Sequence, residues 1–313
     1  MTPASRLPAG LRAAVEVPAT SANLGPGFDC FGLALDWRDR IRCETANDGF
    51  CAEVSGEGAG RVPTDERHLI VSSVRIGLSS LGLQAPGLRV RSANTIPHGR
   101  GLGSSSAAIV AGLAAAWTLA AGVDAVPVDL DRAWLLRHAT AIEGHPDNVA
   151  AAILGGFVLA WSDGESVRAV NAAVDPRIAA VVWVPATEVA TKVARGLLPD
   201  LVPHAQAAAN AGRAGLLVHA LAWEPELLLA GTDDWLHQSY RSSAMPSSYD
   251  LVRRLRADGH AAVISGAGPT VLVLTTTDRV ADLVARDEPG FVGRGLRPSA
   301  GVVVIDDAES GPG

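Results

Sequence analysis

A chain of 313 residues with 48% hydrophobic and 19% charged side chains can fill one large or two ordinary cores, and it is unlike a disordered chain. Its formal net charge of −7, with no long basic patch, makes a nucleic-acid backbone a poor partner. Three cysteines (Cys30, Cys43 and Cys51), odd in number and without metal spacing, point to buried thiols in a reducing cytoplasm rather than to a disulfide framework.

Met1 to Leu11 contain no apolar core of signal-peptide length. A first strand is expected over 11–17, stopped by Pro18, and a turn-rich segment over 20–29 follows it. A second strand is expected over 33–43, and the Gly-rich stretch 53–65 reads as a hairpin or loop. Ile70, Val74 and Leu78 fall on one stripe and predict a helix over 69–81. Residues 88–92 alternate as a strand does, and they run toward the most informative segment of the chain.

That segment is Pro97-His98-Gly99-Arg100-Gly101-Leu102-Gly103-Ser104-Ser105-Ser106-Ala107-Ala108. Glycines let the backbone turn tightly and approach a ligand closely. Serines at a helix start stand beside unpaired N–H groups, where the helix dipole favours an anion. The combination suits phosphate, although a bare Gly/Ser turn capping a helix has the same composition. Gly101-Leu102-Gly103 also opens a dinucleotide fingerprint, but Ser106 occupies the place of its third glycine. No Gly-Lys-Ser/Thr occurs, and the one lysine, Lys192, lies far from every glycine loop. Walker-type, protein-kinase and Schiff-base chemistries are therefore disfavoured.

A helix is predicted over 107–122. The apolar run 107–123 is Ala-rich, slightly short for a bilayer span and without basic flanks, so it reads as a buried helix and not as a membrane one. Another helix covers 130–142, after which Gly144 and Pro146 break the pattern. Asp147-Asn148 start a short helix ending at Gly155-Gly156, an apolar stretch follows over 157–161, and Asp163-Gly164 signals a turn. A domain boundary falls within 170–176, before a strand over 178–184. The second half reads as helical through about 192–230 and again over 248–258. It closes with strands over 261–265, 270–275 and 301–305 and a frayed tail from Asp306 onward. Strands and helices mix within each half without strict alternation, which favours two α+β domains, 1–172 and 173–313. There is no internal repeat.

Three segments together resemble one family. The 97–108 stretch resembles the ATP-binding motif of the GHMP kinases. Val17-Pro18-Ala19-Thr20-Ser21-Ala22-Asn23-Leu24-Gly25-Pro26-Gly27-Phe28-Asp29 resembles that family's N-terminal motif in its homoserine-kinase form, and Ser265-Gly266-Ala267-Gly268-Pro269-Thr270 resembles its C-terminal glycine motif. The Gly-Glu-His segment of the galactokinases is absent. Glu143-Gly144-His145-Pro146-Asp147-Asn148, Thr191-Lys192-Val193-Ala194-Arg195 and the 234–241 segment ending in Arg241 are typical of the homoserine form. The resemblance implies a two-domain GHMP kinase fold, with an N-terminal ATP-binding domain like domain 2 of ribosomal protein S5 and a ferredoxin-like α+β C-terminal domain. It implies ATP-dependent phosphorylation of the L-homoserine side-chain hydroxyl to O-phospho-L-homoserine, a cytoplasmic step toward threonine, and it is compatible with a homodimer. Two alternatives stand beside it: a GHMP kinase for another hydroxy acid, and a non-catalytic sensor on the same fold.

The implied site follows residue by residue. Pro97, His98, Gly99, Arg100, Gly101, Leu102, Gly103, Ser104, Ser105, Ser106 and Ala107 would cradle ATP, with Ser105 and Glu143 as Mg²⁺ ligands. Homoserine is a zwitterion bearing a hydroxyl, and the pocket residues suit each part of it. Arg195 and Arg241 can fork onto the α-carboxylate. Asp29 can take the ammonium and Asn23 the reacting hydroxyl, with Thr191, His145 and Asp147 completing the pocket. Asn23, Glu143 and Arg195 form the implied catalytic set. A mevalonate pocket would hold no ammonium, and an unpaired Asp29 there would be costly.

Overall fold

The computed structural model describes residues 5–164 and 166–306. The chain opens with a short strand β1 (Ser5–Arg6), then runs through β2 (Arg12–Asn23), β3 (Gly27–Ala46) and β4 (Phe50–Gly56). Helix α1 (Leu69–Ser80) follows, then β5 (Leu83–Gln84) and β6 (Gly87–Asn94). Three helices come next, α2 (Ser104–Ala121), α3 (Arg132–Glu143) and α4 (Asp147–Leu154), followed by the hairpin strands β7 (Phe157–Asp163) and β8 (Ser166–Ala172). The second half comprises β9 (Ile178–Pro185), α5 (Thr191–Arg195), α6 (His204–Ala222), α7 (Leu228–Gly231) and α8 (Pro246–Ala257). It ends with β10 (Ala261–Ile264), β11 (Val271–Thr276), α9 (Val280–Val284), β12 (Phe291–Leu296) and β13 (Val303–Val304).

The first sheet has the order β13-β2-β3-β6-β4, with β7 pairing β3 and β8 pairing β7. The second is antiparallel, in the order β10-β11-β9-β12. Ala-rich α2 is buried on nearly all sides and packs between α1 and the first sheet, which accounts for its lack of an amphipathic stripe. Side chains of β9 alternate between two clusters, as period-2 geometry requires. Ile178, Ala180 and Val182 join the large core beneath the first sheet and α6, whereas Val181 and Trp183 pack with α8 through Leu251 and Leu255.

Several expectations are corrected. Pro18 does not end the first strand: β2 continues to Asn23, and a register shift at Pro18/Ala19 absorbs the proline. Residues 20–23 are therefore strand, and the turn is confined to the stretch before Gly27. Part of the 53–65 loop belongs to β4, which pairs with β6 in parallel rather than in a hairpin. The helical run 192–230 is interrupted between Arg195 and His204, where Pro199 and Pro203 sit. β1, β5, β8, β12 and α9 have no counterpart among the elements expected from the sequence. The strand expected over 301–305 is confined to Val303–Val304, which pair with Glu16 and Val15 respectively, so the chain returns to the first sheet. Of the cysteines, Cys43 alone is buried; Cys51 is half-buried and Cys30 exposed, all three as free thiols. The frayed tail lies, from residue 307, outside the described residues.

Candidate active site

The glycine loop is held in place before it begins. As the chain leaves β6, the Asp39 carboxylate accepts from Thr95 N (2.6 Å) and Ile96 N (2.9 Å). Burial pushes the Asp39 carboxyl up to about 6 in spite of these bonds. Gly103 then caps α2 in the left-handed region (φ +68°), leaving the first-turn amides of Ser104, Ser105 and Ser106 without intrahelical acceptors. A Cβ on Gly103 would overlap the Thr20 hydroxyl, and one on Gly101 would overlap the Ser265 carbonyl.

Those overlaps mark where three distant segments interlock. Thr20 N donates to Leu102 O (3.0 Å), Gly266 N to Ala22 O (3.1 Å) and Thr270 N to Arg100 O (3.3 Å). The Ser265 hydroxyl donates to Gly101 O (2.6 Å) and shares a hydrogen bond with the Ser21 hydroxyl (2.8 Å). Asn23 bridges the same seam: its Nδ2 donates to Gly266 O (2.9 Å) and its Oδ1 accepts from Asp29 N (2.9 Å). The phosphate-suited loop is thus backed by hydrogen bonds from both sheets.

At the start of α2, one carboxylate oxygen meets two hydroxyls. Glu143 Oε1 accepts from Ser105 Oγ (2.7 Å) and Ser106 Oγ (2.8 Å). The cluster contains only hard oxygen donors and sits at a helix N-terminus. That donor chemistry fits Mg²⁺ and would suit neither a soft metal nor an imidazole-based site.

Across the cavity lie the charged residues. Arg195 forks onto Asp29, with Nη1 donating to Oδ2 (2.9 Å) and Nη2 to Oδ1 (2.6 Å). Arg241 is only 2% exposed, yet among the described residues no carboxylate stands within ion-pair distance of it. Its Nε lacks any hydrogen-bond partner, and its Nη1 reaches only Gly266 O and His237 Nδ1, each at 3.4 Å. Both guanidinium groups lie over the Phe28 ring, Arg195 at 5.6 Å and Arg241 at 5.0 Å from its centroid. Burial, and after it the charge of Arg195, lowers the Arg241 pKa. Burial likewise lowers that of His237, which as a neutral ring donates Nε2–H to Gly25 O (2.8 Å) and accepts from Arg241 at Nδ1. Asp234 fixes the backbone that carries both, accepting from Leu236 N (2.9 Å) and Gln238 N (2.7 Å).

On the third side, Asp147 Oδ1 accepts from Asn148 N (2.7 Å) and pairs with His145 Nδ1 (2.9 Å), a bond that raises the His145 pKa. The Thr20 hydroxyl donates to Asn148 Oδ1 (2.8 Å). These groups enclose a cavity of 230 Å³. A second cavity, of 260 Å³, shares Ser104 and Ser105 with the first and is walled by Ile41, Val62, Pro63, Leu69, Ile70 and Ala108. Its further polar residues are Asp39, Arg67, Asn94, His98 and the buried His68, whose Nδ1 has no hydrogen-bond partner. A larger cavity, of 340 Å³, lies by Arg177 and His260 at the opposite end of the second sheet, without comparable convergence of motifs.

The first cavity brings together Asn23, Gly99, Gly101, Gly103, Ser104, Ser105, Glu143, His145, Asp147, Thr191, Arg195 and Arg241, and Asp29 joins them through Arg195. Other residues of the loop turn elsewhere. Pro97, Leu102 and Ala107 are buried, and Ser106 points to Glu143. His98 lines the second cavity, and Arg100 donates to Pro185 O, Ala186 O and His98 O. Thr20 and Asn148 fall within the 17–29 and 143–148 motifs of the sequence, and only their mutual hydrogen bond exposes a role for them. Asp39 and His68 stand in no motif and had no signal in the sequence.

The sequence matches the family model described as GHMP kinases N terminal domain over residues 68–156, and that described as GHMP kinases C terminal over 207–287. The homoserine kinase of Streptomyces avermitilis is 56% identical over 272 residues, covering 87% of this chain and 88% of that protein. The homoserine kinase of Cutibacterium acnes is 50% identical over 291 residues, covering 92% and 97%. The crystal structure of homoserine kinase from Cytophaga hutchinsonii superposes with a TM-score of 0.82 at 29% identity, covering 94% of this chain and 98% of that one.

Proposed function

Since the chain belongs to the homoserine kinases of the GHMP kinase family, we propose how its own residues divide the work of moving a phosphoryl group from ATP to the L-homoserine hydroxyl. The product, O-phospho-L-homoserine, lies on the route to threonine. The observation that carries the assignment of sides is Arg241: a buried guanidinium without an anion, facing a cavity, is a site that lacks only its carboxylate.

The homoserine carboxylate binds Arg241 and Arg195, and its ammonium binds Asp29. In the free protein Asp29 and Arg195 satisfy one another, so a zwitterion can exchange with that pair without changing the net charge of the pocket. The substrate hydroxyl then faces Asn23, beside Thr191, His145 and Asp147. Phosphoryl transfer asks for positioning and charge neutralisation more than for proton abstraction. This scheme therefore uses no dedicated base and passes the hydroxyl proton to the transferred phosphoryl group, with Asp147 Oδ1 held by His145 and Asn148 as part of the pocket wall.

On the opposite wall, the amides of the 101–106 loop and the α2 N-terminus hold the triphosphate, and the second cavity takes the nucleoside. Glu143 and Ser105 would hold Mg²⁺, which when bound neutralises charge developing on the phosphate oxygens. Catalysis here is positioning plus charge neutralisation. The same proposal includes the division into domains 1–172 and 173–313, with β13 of the second reaching back to pair with β2 of the first, a cytoplasmic location and a homodimer.

Glu143→Gln tests the division of labour. It keeps the size of the side chain but removes its charge, so turnover is expected to fall by roughly two to three orders of magnitude. Homoserine affinity, measured by calorimetry, should move by less than about twofold. A loss confined to homoserine binding, with turnover intact, would instead place Glu143 in the amino-acid pocket.

A further inference from the structure

One side chain with no part in the scheme above ties the two substrate sites together. Glu188 stands between β9 and α5, three residues before Thr191. Its Oε1 accepts from Arg61 Nη1 (2.9 Å) and lies 3.7 Å from Arg100 Nη1. Arg61 belongs to the turn after β4, whose next residues, Val62 and Pro63, wall the nucleoside cavity. Arg100 belongs to the glycine loop. Its hydrogen bonds go to backbone carbonyls, including those of Pro185 and Ala186 at the end of β9, while Glu57, just past the end of β4, lies within ion-pair distance of both Arg100 (3.9 Å) and Arg61 (3.7 Å). A backbone bond completes the brace, with Val189 N donating to Gly99 O (3.1 Å). Past that bond the chain becomes the amino-acid wall, supplying Ala190, Thr191 and Arg195 to the first cavity.

We propose that Glu188 is a positioning residue that couples the nucleotide and homoserine sites, so that filling one orders the other. Residues 186–190 form no regular secondary structure, and these contacts, together with the packing of Val189 against the smaller core, set their path. The Glu188 side chain is 44% exposed and that of Arg61 57%, so the pair adds little to global stability. Local order is different. When the triphosphate fixes the glycine loop and the adjoining turn, Arg61 and Arg100 become fixed partners for Glu188. The segment carrying Thr191 and Arg195 then loses less freedom on meeting homoserine. The coupling rests on the assignment of homoserine to Arg241, Arg195 and Asp29 given above.

Calorimetric titration of homoserine, with and without the Mg²⁺ complex of the β,γ-imido analogue of ATP, reads this coupling directly. In the unaltered protein the analogue is expected to tighten homoserine binding by at least about fivefold. In Glu188→Ala, Glu188→Gln and Arg61→Ala that factor should collapse toward one, while affinity without nucleotide changes by less than about twofold. The Arg61→Ala/Glu188→Ala double variant should lose no more coupling than either single variant, and unchanged thermal melting would show that all four fold. The proposal is overturned by full coupling in the variants, by no coupling in the unaltered protein, or by a loss of homoserine affinity that is equal with and without nucleotide. Complete failure of homoserine to bind the unaltered protein is a different result, and it would contradict the assignment of the pocket itself.

Discussion

Arg241→Ala is expected to lower kcat/KM for homoserine by roughly thirty- to several-thousand-fold, corresponding to about 2–5 kcal/mol, with little change in ATP binding measured without homoserine. Two features of Arg241 give the effect its size and its specificity. The guanidinium is desolvated in the free protein and, among the described residues, has no carboxylate within ion-pair distance, so a carboxylate that enters the cavity gains a strong, direct partner. Its removal leaves the substrate carboxylate with Arg195 alone, and Arg195 is shared with Asp29. Stability of the unliganded protein should hold or rise, because an unpaired buried cation is a burden on the fold. Arg241→Lys should restore little, since an ammonium has a single point of charge where the site offers a planar fork above Phe28. An equal loss of ATP binding in Arg241→Ala would show that the residue serves the nucleotide or the fold instead.

Gly103→Val is expected to cripple use of ATP by at least about a hundredfold in kcat/KM for the nucleotide, since an ångström-scale displacement of reacting groups has that effect. Gly103 holds a φ of +68°, which a β-branched residue adopts only under strain. Its new Cβ would also overlap the Thr20 hydroxyl, which is not free to step aside because it donates to Asn148 Oδ1 (2.8 Å). The loop must therefore move, and with it the amides of Ser104 and Ser105 that face the cavity. Far-UV circular dichroism should show the helices intact, because α2 is anchored by Ile109, Leu113 and Trp117 well beyond the loop. An unchanged Michaelis constant for ATP together with unchanged turnover would remove the loop from nucleotide binding.

What the sequence disclosed depended on whether the signal was local. α1 was legible to within a residue because Ile70, Val74 and Leu78 repeat at helical spacing on a buried face. β12 was invisible because Gly293 and Gly295 interrupt any strand pattern in Phe291–Leu296, and only pairing with β9 makes it a strand. Pro18 reads as a stop by local chemistry, yet a bulge against β3 carries the strand through it. The Ala-rich stretch after Lys192 reads as one helix, and Pro199 and Pro203 divide it. The candidate site followed the same division. Local chemistry pointed to the glycine loop, and the resemblance of contiguous motifs to the family implied Glu143, Arg195 and Arg241. No local pattern could show that Arg241 lacks a carboxylate partner, that Asp29 already holds Arg195, or that Asp39 and His68 line one cavity beside α2. Those facts arise from contacts between residues far apart in the chain.

The central claim is that the cavity recognises a zwitterion, with Asp29 holding the ammonium while Arg241 and Arg195 hold the carboxylate. The most direct measurement is ADP release with homoserine and with 4-hydroxybutyrate, which shares the hydroxyl and the carboxylate but lacks the amino group. With 4-hydroxybutyrate, Asp29 would face a substrate that offers it no cation, so homoserine is expected to exceed it by at least about a hundredfold in kcat/KM. Phosphorylation of 4-hydroxybutyrate as efficiently as homoserine would contradict the claim, because Asp29 would then have no ammonium to hold.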